Sequence, residues 1–164
     1  MKIRGRAIIY GDNIDTDIII PGRYLVLQDP EELAKHAMEG IDPSFPEKAR
    51  MGAIIVAGKN FGCGSSREEA PVALKHANTK CVIAESFARI FYRNAINIGL
   101  PIIEASIRNS VEEGDELVVD VISGMIVNET KGITLKGNPL PSLAIEIISA
   151  GGLTRYIRKK LGLE

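Results

Sequence analysis

Between Gly58 and Glu69 the chain reads Gly-Lys-Asn-Phe-Gly-Cys-Gly-Ser-Ser-Arg-Glu-Glu. Gly58, Gly62 and Gly64 fall within seven residues, followed directly by Ser65, Ser66 and Arg67. Glycines let a ligand approach the backbone closely. Serine hydroxyls can exchange or share a proton, and a planar guanidinium offers two parallel donors to a carboxylate. The segment follows Ala53 to Ala57, a short apolar run bounded by glycines that reads as a buried parallel strand, and it leads into a helix predicted from about Arg67 to Ala77. In open α/β sheets ligands bind at the carboxyl ends of strands, where amides at a helix start attract anions. Ser65 or Ser66 is expected to cap that helix, with Glu68 or Glu69 three residues on as in a capping box. Capping needs one serine, and this loop holds more than capping requires, so it is the candidate site.

Other chemistries fit less well. A phosphate-binding Walker loop needs Gly-Lys before the Ser, whereas Gly64 meets Ser65 directly and Lys59 comes too early. A dinucleotide fingerprint would use Gly62 and Gly64, with Glu85 about 20 residues on, but Arg67 stands at its third glycine position and would obstruct helix–strand packing. Asp12, Asp15 and Asp17 miss the calcium-loop spacing and read as loop structure. Arg89 and Arg93, four apart, read as a solvated or ion-paired helix face. Two cysteines, Cys63 and Cys81, and two histidines, His36 and His76, give no CxxC and no recognisable zinc or iron–sulfur spacing. Any cluster must come from elsewhere, and both thiols are expected to be reduced in a cytosolic setting.

The elements that must position the loop follow from pattern. Lys2 to Ile9 reads as a first strand, and Gly11 to Asp17 as a polar loop. Asp29 as N-cap and Pro30 at the first helical position open a helix expected to reach about Glu39, and Asp42 to Pro46 reads as an exposed connector. Lys80 to Ala84 and Leu100 to Glu104 repeat the buried-strand pattern, with a helix from Ser86 to Asn97 between them, so parallel strands with right-handed crossovers are predicted. After Val111 come short strands at Glu116 to Val121, Met125 to Asn128 and Ile133 to Leu135, a β-rich flap. Helices at Leu143 to Ala150 and Leu153 to Leu161 close the chain around Gly151-Gly152.

Bulk properties agree with one α/β domain over residues 1–164. The 164 residues are 45% hydrophobic and 25% charged, average for a globular protein, which excludes intrinsic disorder. Lys plus Arg is 20 and Asp plus Glu is 21, so no basic excess points to nucleic acid. No apolar run is long enough to span a bilayer, and Met1 to Arg6 leads into a strand pattern rather than a signal peptide; a cytoplasmic location is expected.

Three ordered motifs carry a resemblance: Gly11-Asp12-Asn13-Ile14-Asp15-Thr16-Asp17 with Pro21-Gly22-Arg23-Tyr24, then Gly58 to Glu68, then Ser86-Phe87-Ala88-Arg89-Ile90-Phe91-Tyr92-Arg93-Asn94. Over essentially its whole length the chain resembles the small subunits of the two-subunit hydro-lyases of the aconitase superfamily, the isopropylmalate dehydratase and homoaconitase type. The resemblance implies a swivelling β/β/α three-layer domain, with a mostly parallel core sheet, that docks over a large subunit carrying a [4Fe-4S] cluster. It implies dehydration and rehydration of a 2-hydroxy acid, with iron as Lewis acid. By the same resemblance Ser65 is the general base, Arg67 binds a substrate carboxylate, and Ser66 and Gly64 lie beside it. Asp17 and Arg23 would orient the site, and Cys63 is a neighbour without a nucleophilic role. A serine hydroxyl is too weak an acid to act unaided, so the helix start, nearby amides and Arg67 would have to stabilise its anion.

Tyr24-Leu25-Val26-Leu27 matches the family's specificity loop. Homoaconitases resemble Tyr-Leu-Arg-Thr there, with the arginine facing an extra carboxylate. Val26 cannot pair a carboxylate, but it can contact an isopropyl group, whose burial gains on the order of 1.5–3 kcal/mol. The residues therefore favour isopropylmalate, and the same apolar contact would accept the smaller group of a citraconate- or methylmalate-type substrate. Two alternatives stay open: a homoaconitase subunit, and a stand-alone anion-binding domain that is not an enzyme.

Overall fold

A computed structural model describes residues 1–164. Seven strands, β1 (Lys2–Ile9), β2 (Ala53–Ala57), β3 (Thr79–Ala84), β4 (Ile102–Glu104), β5 (Glu116–Asp120), β6 (Met125–Asn128) and β7 (Ile133–Lys136), form one sheet in the order β4-β3-β2-β1-β5-β6-β7. The first four pair in parallel, with Ile8 opposite Ile55, Ile55 opposite Val82 and Val82 opposite Ile102. Strand β1 is the seam, because its other edge pairs antiparallel with β5, Gly5 opposite Leu117. The expected flap is thus a continuation of the core sheet. Strands β5 and β6 alternate buried and more exposed residues where β2 is buried throughout, the signature of an antiparallel half with one wet face against a doubly covered parallel strand.

The helices are α1 (Thr16–Ile19), α2 (Pro30–Ala34), α3 (Phe45–Lys48), α4 (Glu69–His76), α5 (Arg89–Asn97), α6 (Ser142–Ser149) and α7 (Leu153–Lys160). Helix α2 packs on α4, α4 on α5, α5 on α6 and α6 on α7. A sequential parallel order with right-handed crossovers puts α2, α4 and α5 on one face of the sheet. One apolar core joins Ile8, Ile55, Val82 and Ile102 of the parallel half to Leu117, Val119 and Ile126 of the antiparallel half. No helix is long and apolar enough to cross a membrane.

Four local expectations change, each for a tertiary reason. Asp29 does cap α2, accepting from the Glu31 amide at 3.0 Å, but the helix stops at Ala34 rather than Glu39. The chain beyond it turns so that the Met38 amide donates to the Ile19 carbonyl at 2.7 Å and the Gly40 amide to the Ile18 carbonyl at 3.1 Å. Those bonds compensate for lost helical ones. The connector from Asp42 to Pro46 is not simply exposed: Phe45 is fully buried against Tyr10, and Phe45 to Lys48 form α3. Two flanking prolines disguise that anchor as a loop. The run from Gly11 to Asp17 ends in α1, capped by the Asp15 side chain on the Ile18 amide at 2.8 Å.

The fourth change bears on the site. Helix α4 begins at Glu69, with Glu68 as N-cap and no side-chain cap, so neither Ser65 nor Ser66 caps it. Helix α5 likewise begins at Arg89 and not Ser86. Before α4 the Ser65 carbonyl and the Arg67 side chain are engaged by the loop after β1, and before α5 the backbone of Ser86 and Ala88 is engaged by Phe61.

Candidate active site

Three loops meet at the carboxyl ends of the parallel strands. The Gly58 amide donates to the Gly11 carbonyl at 3.1 Å, and the Glu85 amide to the Gly58 carbonyl at 3.0 Å, tying together the chain after β1, β2 and β3. Further out, the Gly62 amide donates to Ile14 O at 2.7 Å and the Thr16 amide to Cys63 O at 2.8 Å. On the other side Phe61 N donates to Ser86 O and Ala88 N to Phe61 O, both at 3.0 Å. The loop is therefore held between two walls by single bridges, Phe61 to Phe87 on one side and Cys63 to Asp15 on the other.

Composition follows from that geometry. Asp12 accepts from the Lys59 amide at 2.8 Å, and a side chain at Gly58 would collide with the Asp12 carboxylate. Gly62 has φ +83°, and a Cβ there would collide with the Phe91 ring. Gly62→Ala is predicted to destabilise the chain by about 2–5 kcal/mol, the sum of a left-handed backbone and overpacking. The midpoint of chemical unfolding measures it, and a change under about 1 kcal/mol would contradict the close packing.

The backbone N–H groups of Gly64, Ser65, Ser66 and Arg67 donate no hydrogen bond within the chain. A run of unspent amides is what a developing anion needs. Ser65 and Ser66 are exposed, while the Thr16 hydroxyl donates to the Ser65 carbonyl at 2.8 Å and fixes the peptide beside them. Arg67 is anchored: its Nη1 donates to Asp17 Oδ1 at 3.0 Å and to the Ile20 carbonyl at 2.9 Å, with 18% of its side chain exposed. The Gly22 amide donates to the same Asp17 oxygen at 3.0 Å. Arg67 first, then the Gly22 amide, hold the Asp17 carboxyl below the usual carboxylate range. The rest of the guanidinium makes no bond within the chain and can receive a carboxylate.

Gly64, Ser65, Ser66 and Arg67 line one cavity of about 520 Å³, together with Thr16, Arg89, Arg93 and Asn94. Arg89 and Arg93 are solvated, as expected, yet they also open onto this cavity, which sequence reasoning did not anticipate. Their signal was present: two cations four apart at the start of a helix oppose both each other and the helix dipole. Asp17 reaches the site through Arg67. Arg23 instead pairs with Glu39 at 2.9 Å, and Tyr24, Leu25, Val26 and Leu27 do not line the cavity. Val26 stands 82% exposed on the neighbouring loop.

The cysteines do not form a metal centre. Cys81 is fully buried in β3, where burial pushes its thiol up to about 12, and no three His, Cys, Asp or Glu side chains converge as metal ligands. The donor set of this chain does not fit an iron–sulfur cluster.

Residues 12–106, which contain all three loops, match the aconitase C-terminal domain family. Over 161 residues the chain is 59% identical to a 3-isopropylmalate dehydratase small subunit of Pyrobaculum calidifontis, covering 98% of this chain and 99% of that one. This chain belongs to the 3-isopropylmalate dehydratase small-subunit family. Another member, the isopropylmalate/citramalate isomerase small subunit of Methanocaldococcus jannaschii, is 59% identical over 160 residues, 97% of this chain and 95% of that protein. A solved structure of 3-isopropylmalate dehydratase from M. jannaschii superposes with a TM-score of 0.94 at 51% identity, covering 99% of this chain and 97% of that one. Family membership gives the observed half-parallel, half-antiparallel sheet its name, the aconitase-type α/β domain.

Proposed function

We propose that this chain is the small subunit of a dehydratase that interconverts 2- and 3-isopropylmalate, a step of leucine biosynthesis. It works in the cytoplasm, with a large subunit that carries the [4Fe-4S] cluster. The observation that carries the reading is the Gly64–Arg67 loop, with its unspent amides, its exposed serines and an arginine already anchored on Asp17. Dehydration of a 2-hydroxy acid removes a proton from one carbon and hydroxide from the next. Ser65 takes the carbon-bound proton as an alkoxide and returns it on rehydration. Because neither serine caps α4, the stabilisation expected from that helix start falls instead to the free amides and to Arg67, Arg89 and Arg93. Arg67 holds a substrate carboxylate, and Ser66 and Gly64 donate beside it. No ligand set for the cluster exists in this chain, so the site is completed by the large subunit.

Tyr24-Leu25-Val26-Leu27 supplies the contact for the substrate's side chain. An exposed valine at a loop apex favours an isopropyl group over a third carboxylate. The name of the M. jannaschii relative favours a second, broader reading in which methyl-bearing substrates are also turned over, since an apolar contact rejects a smaller group only weakly.

The test is anaerobic coexpression with the candidate large subunit, cluster reconstitution, and rates on isopropylmalate and homocitrate side by side. Preference for isopropylmalate is expected. Preference for homocitrate would assign the homoaconitase reaction, and no turnover with an intact cluster would leave a non-enzymatic anion-binding domain. In the same assay Val26→Arg is predicted to lower kcat/KM for isopropylmalate roughly 10–100-fold, the transfer energy of the lost apolar contact expressed as a rate. An unchanged ratio between the two substrates would remove Val26 from specificity.

A further inference from the structure

Beside the Tyr24–Leu27 loop stands a polar cluster centred on one carboxylate. Glu39 Oε1 accepts from the Tyr24 hydroxyl at 2.5 Å and from Arg23 Nη2 at 2.9 Å, and Glu39 Oε2 lies 2.6 Å from His36 Nδ1. The His36 ring stacks on the Tyr24 ring, with centroids 3.7 Å apart and planes 9° from parallel, and the Arg23 guanidinium lies over the same ring at 4.6 Å. Both oxygens of Glu39 are thus engaged, and every partner leads to Tyr24 or its neighbour.

The platform under Glu39 is fixed as tightly. Met38, fully buried, has φ +62°, a conformation that persists in a non-glycine residue only where the surroundings impose it. Here the imposing contacts are the bonds from the Met38 and Gly40 amides to the Ile19 and Ile18 carbonyls of α1. A Cβ at Gly40 would lie 2.6 Å from Ile18 Cα, so the turn rests directly on that backbone. The same helix carries Asp17, which anchors Arg67 at 3.0 Å. At the other end of the cluster, the Tyr24 carbonyl accepts from the Leu27 amide at 3.0 Å, closing the turn at whose apex Val26 stands.

We propose that Glu39 is the positioning residue of the specificity loop: by holding Tyr24 and Arg23 on a turn welded to α1, it sets where Val26 stands relative to Arg67. The substrate's side-chain contact and its carboxylate contact are thereby kept at one separation, although they lie on different loops. Apolar packing of Tyr24, Leu25 and Leu27 against the core retains the loop but does not orient its apex. The carboxylate adds direction, because hydrogen bonds fix angles that apolar contacts leave free. This inference rests on the reading of Tyr24–Leu27 as the specificity loop.

Its test uses the assembled two-subunit enzyme, with isopropylmalate and a methyl-bearing analogue as substrates. Glu39→Ala is expected to raise KM for isopropylmalate about tenfold, the usual consequence of losing one well-placed polar contact, and to leave kcat within about twofold. The preference for the larger substrate should narrow. Glu39→Gln, which keeps an acceptor for the Tyr24 hydroxyl, should restore most of both values, and Tyr24→Phe should shift them part-way. A role confined to stability would lower the melting temperature and the active fraction while KM and the substrate preference stay at wild type, and that result overturns the proposal. Should the alanine variant fail to fold, unchanged KM and preference in Tyr24→Phe overturn it equally. Val26→Ala separates the two layers. If it alters the preference and the Glu39 variants do not, only the positioning role fails; if it too leaves the preference unchanged, the loop is not the specificity loop and both readings fall.

Discussion

Replacing Ser65 by alanine is expected to lower kcat of the reconstituted enzyme by about 10²–10⁴-fold, the range that a positioned acid–base group contributes. KM should change little, and so should assembly with the large subunit. The prediction rests on where the hydroxyl sits. Ser65 is exposed on a loop whose amides from Gly64 to Arg67 are unspent, and its own carbonyl is pinned by Thr16. Removing an exposed oxygen from such a loop leaves its backbone bonds intact, so folding is not at risk. Isotope exchange at the substrate's carbon-bound hydrogen checks the assignment directly, because the variant should lose exchange together with turnover. A variant that keeps near wild-type exchange would show that another group takes the proton. Ser66→Ala provides the contrast, since a hydroxyl that only donates to substrate costs about 0.5–1.5 kcal/mol, or some three- to tenfold.

Arg67→Lys is expected to lower kcat/KM by roughly 30- to 5,000-fold, because truncating a sheltered charged partner costs about 2–5 kcal/mol. One nitrogen of the guanidinium already serves Asp17 and the Ile20 carbonyl, and in the proposed mechanism the same planar group meets the substrate with its remaining donors. An ammonium is a single point and cannot do both. The loss should therefore persist although the charge is kept. Asp17→Asn should be milder, since the Asp17 side chain is 67% exposed and the Ile20 carbonyl still holds Arg67. Steady-state rates on isopropylmalate decide the matter. A lysine variant within threefold of wild type would mean that charge alone, without the fork, binds the carboxylate.

Much of this protein is legible in the amino-acid order. The buried stretches over 53–57 and 81–84 are continuous apolar runs, and a strand buried on both faces leaves just that trace. The Gly58–Glu69 segment stands out as a candidate because it carries more chemistry than a turn needs. Two cysteines and two histidines show no recognisable metal spacing.

What the order alone could not give is wherever a tertiary bond outcompetes a local preference. Ser65 and Ser66 read as helix caps, but Arg67 reaches across to Asp17 and the Ile20 carbonyl, and α4 cannot begin until Glu69. Freed from capping, the loop keeps its amides for a ligand. Arg89 and Arg93 read as an ordinary wet helix face until the bonds between Phe61 and residues 86–88 bring the start of α5 to the serine loop. Glu39 looked like the last residue of a helix; backbone bonds to Ile18 and Ile19 break that helix and turn its carboxylate onto Tyr24. Strand pattern and loop chemistry are local and survive in sequence. The meeting of Ser65, Arg67, Arg89 and Asp17 depends on loops separated along the chain and joined only by the sheet, so it belongs to the tertiary structure.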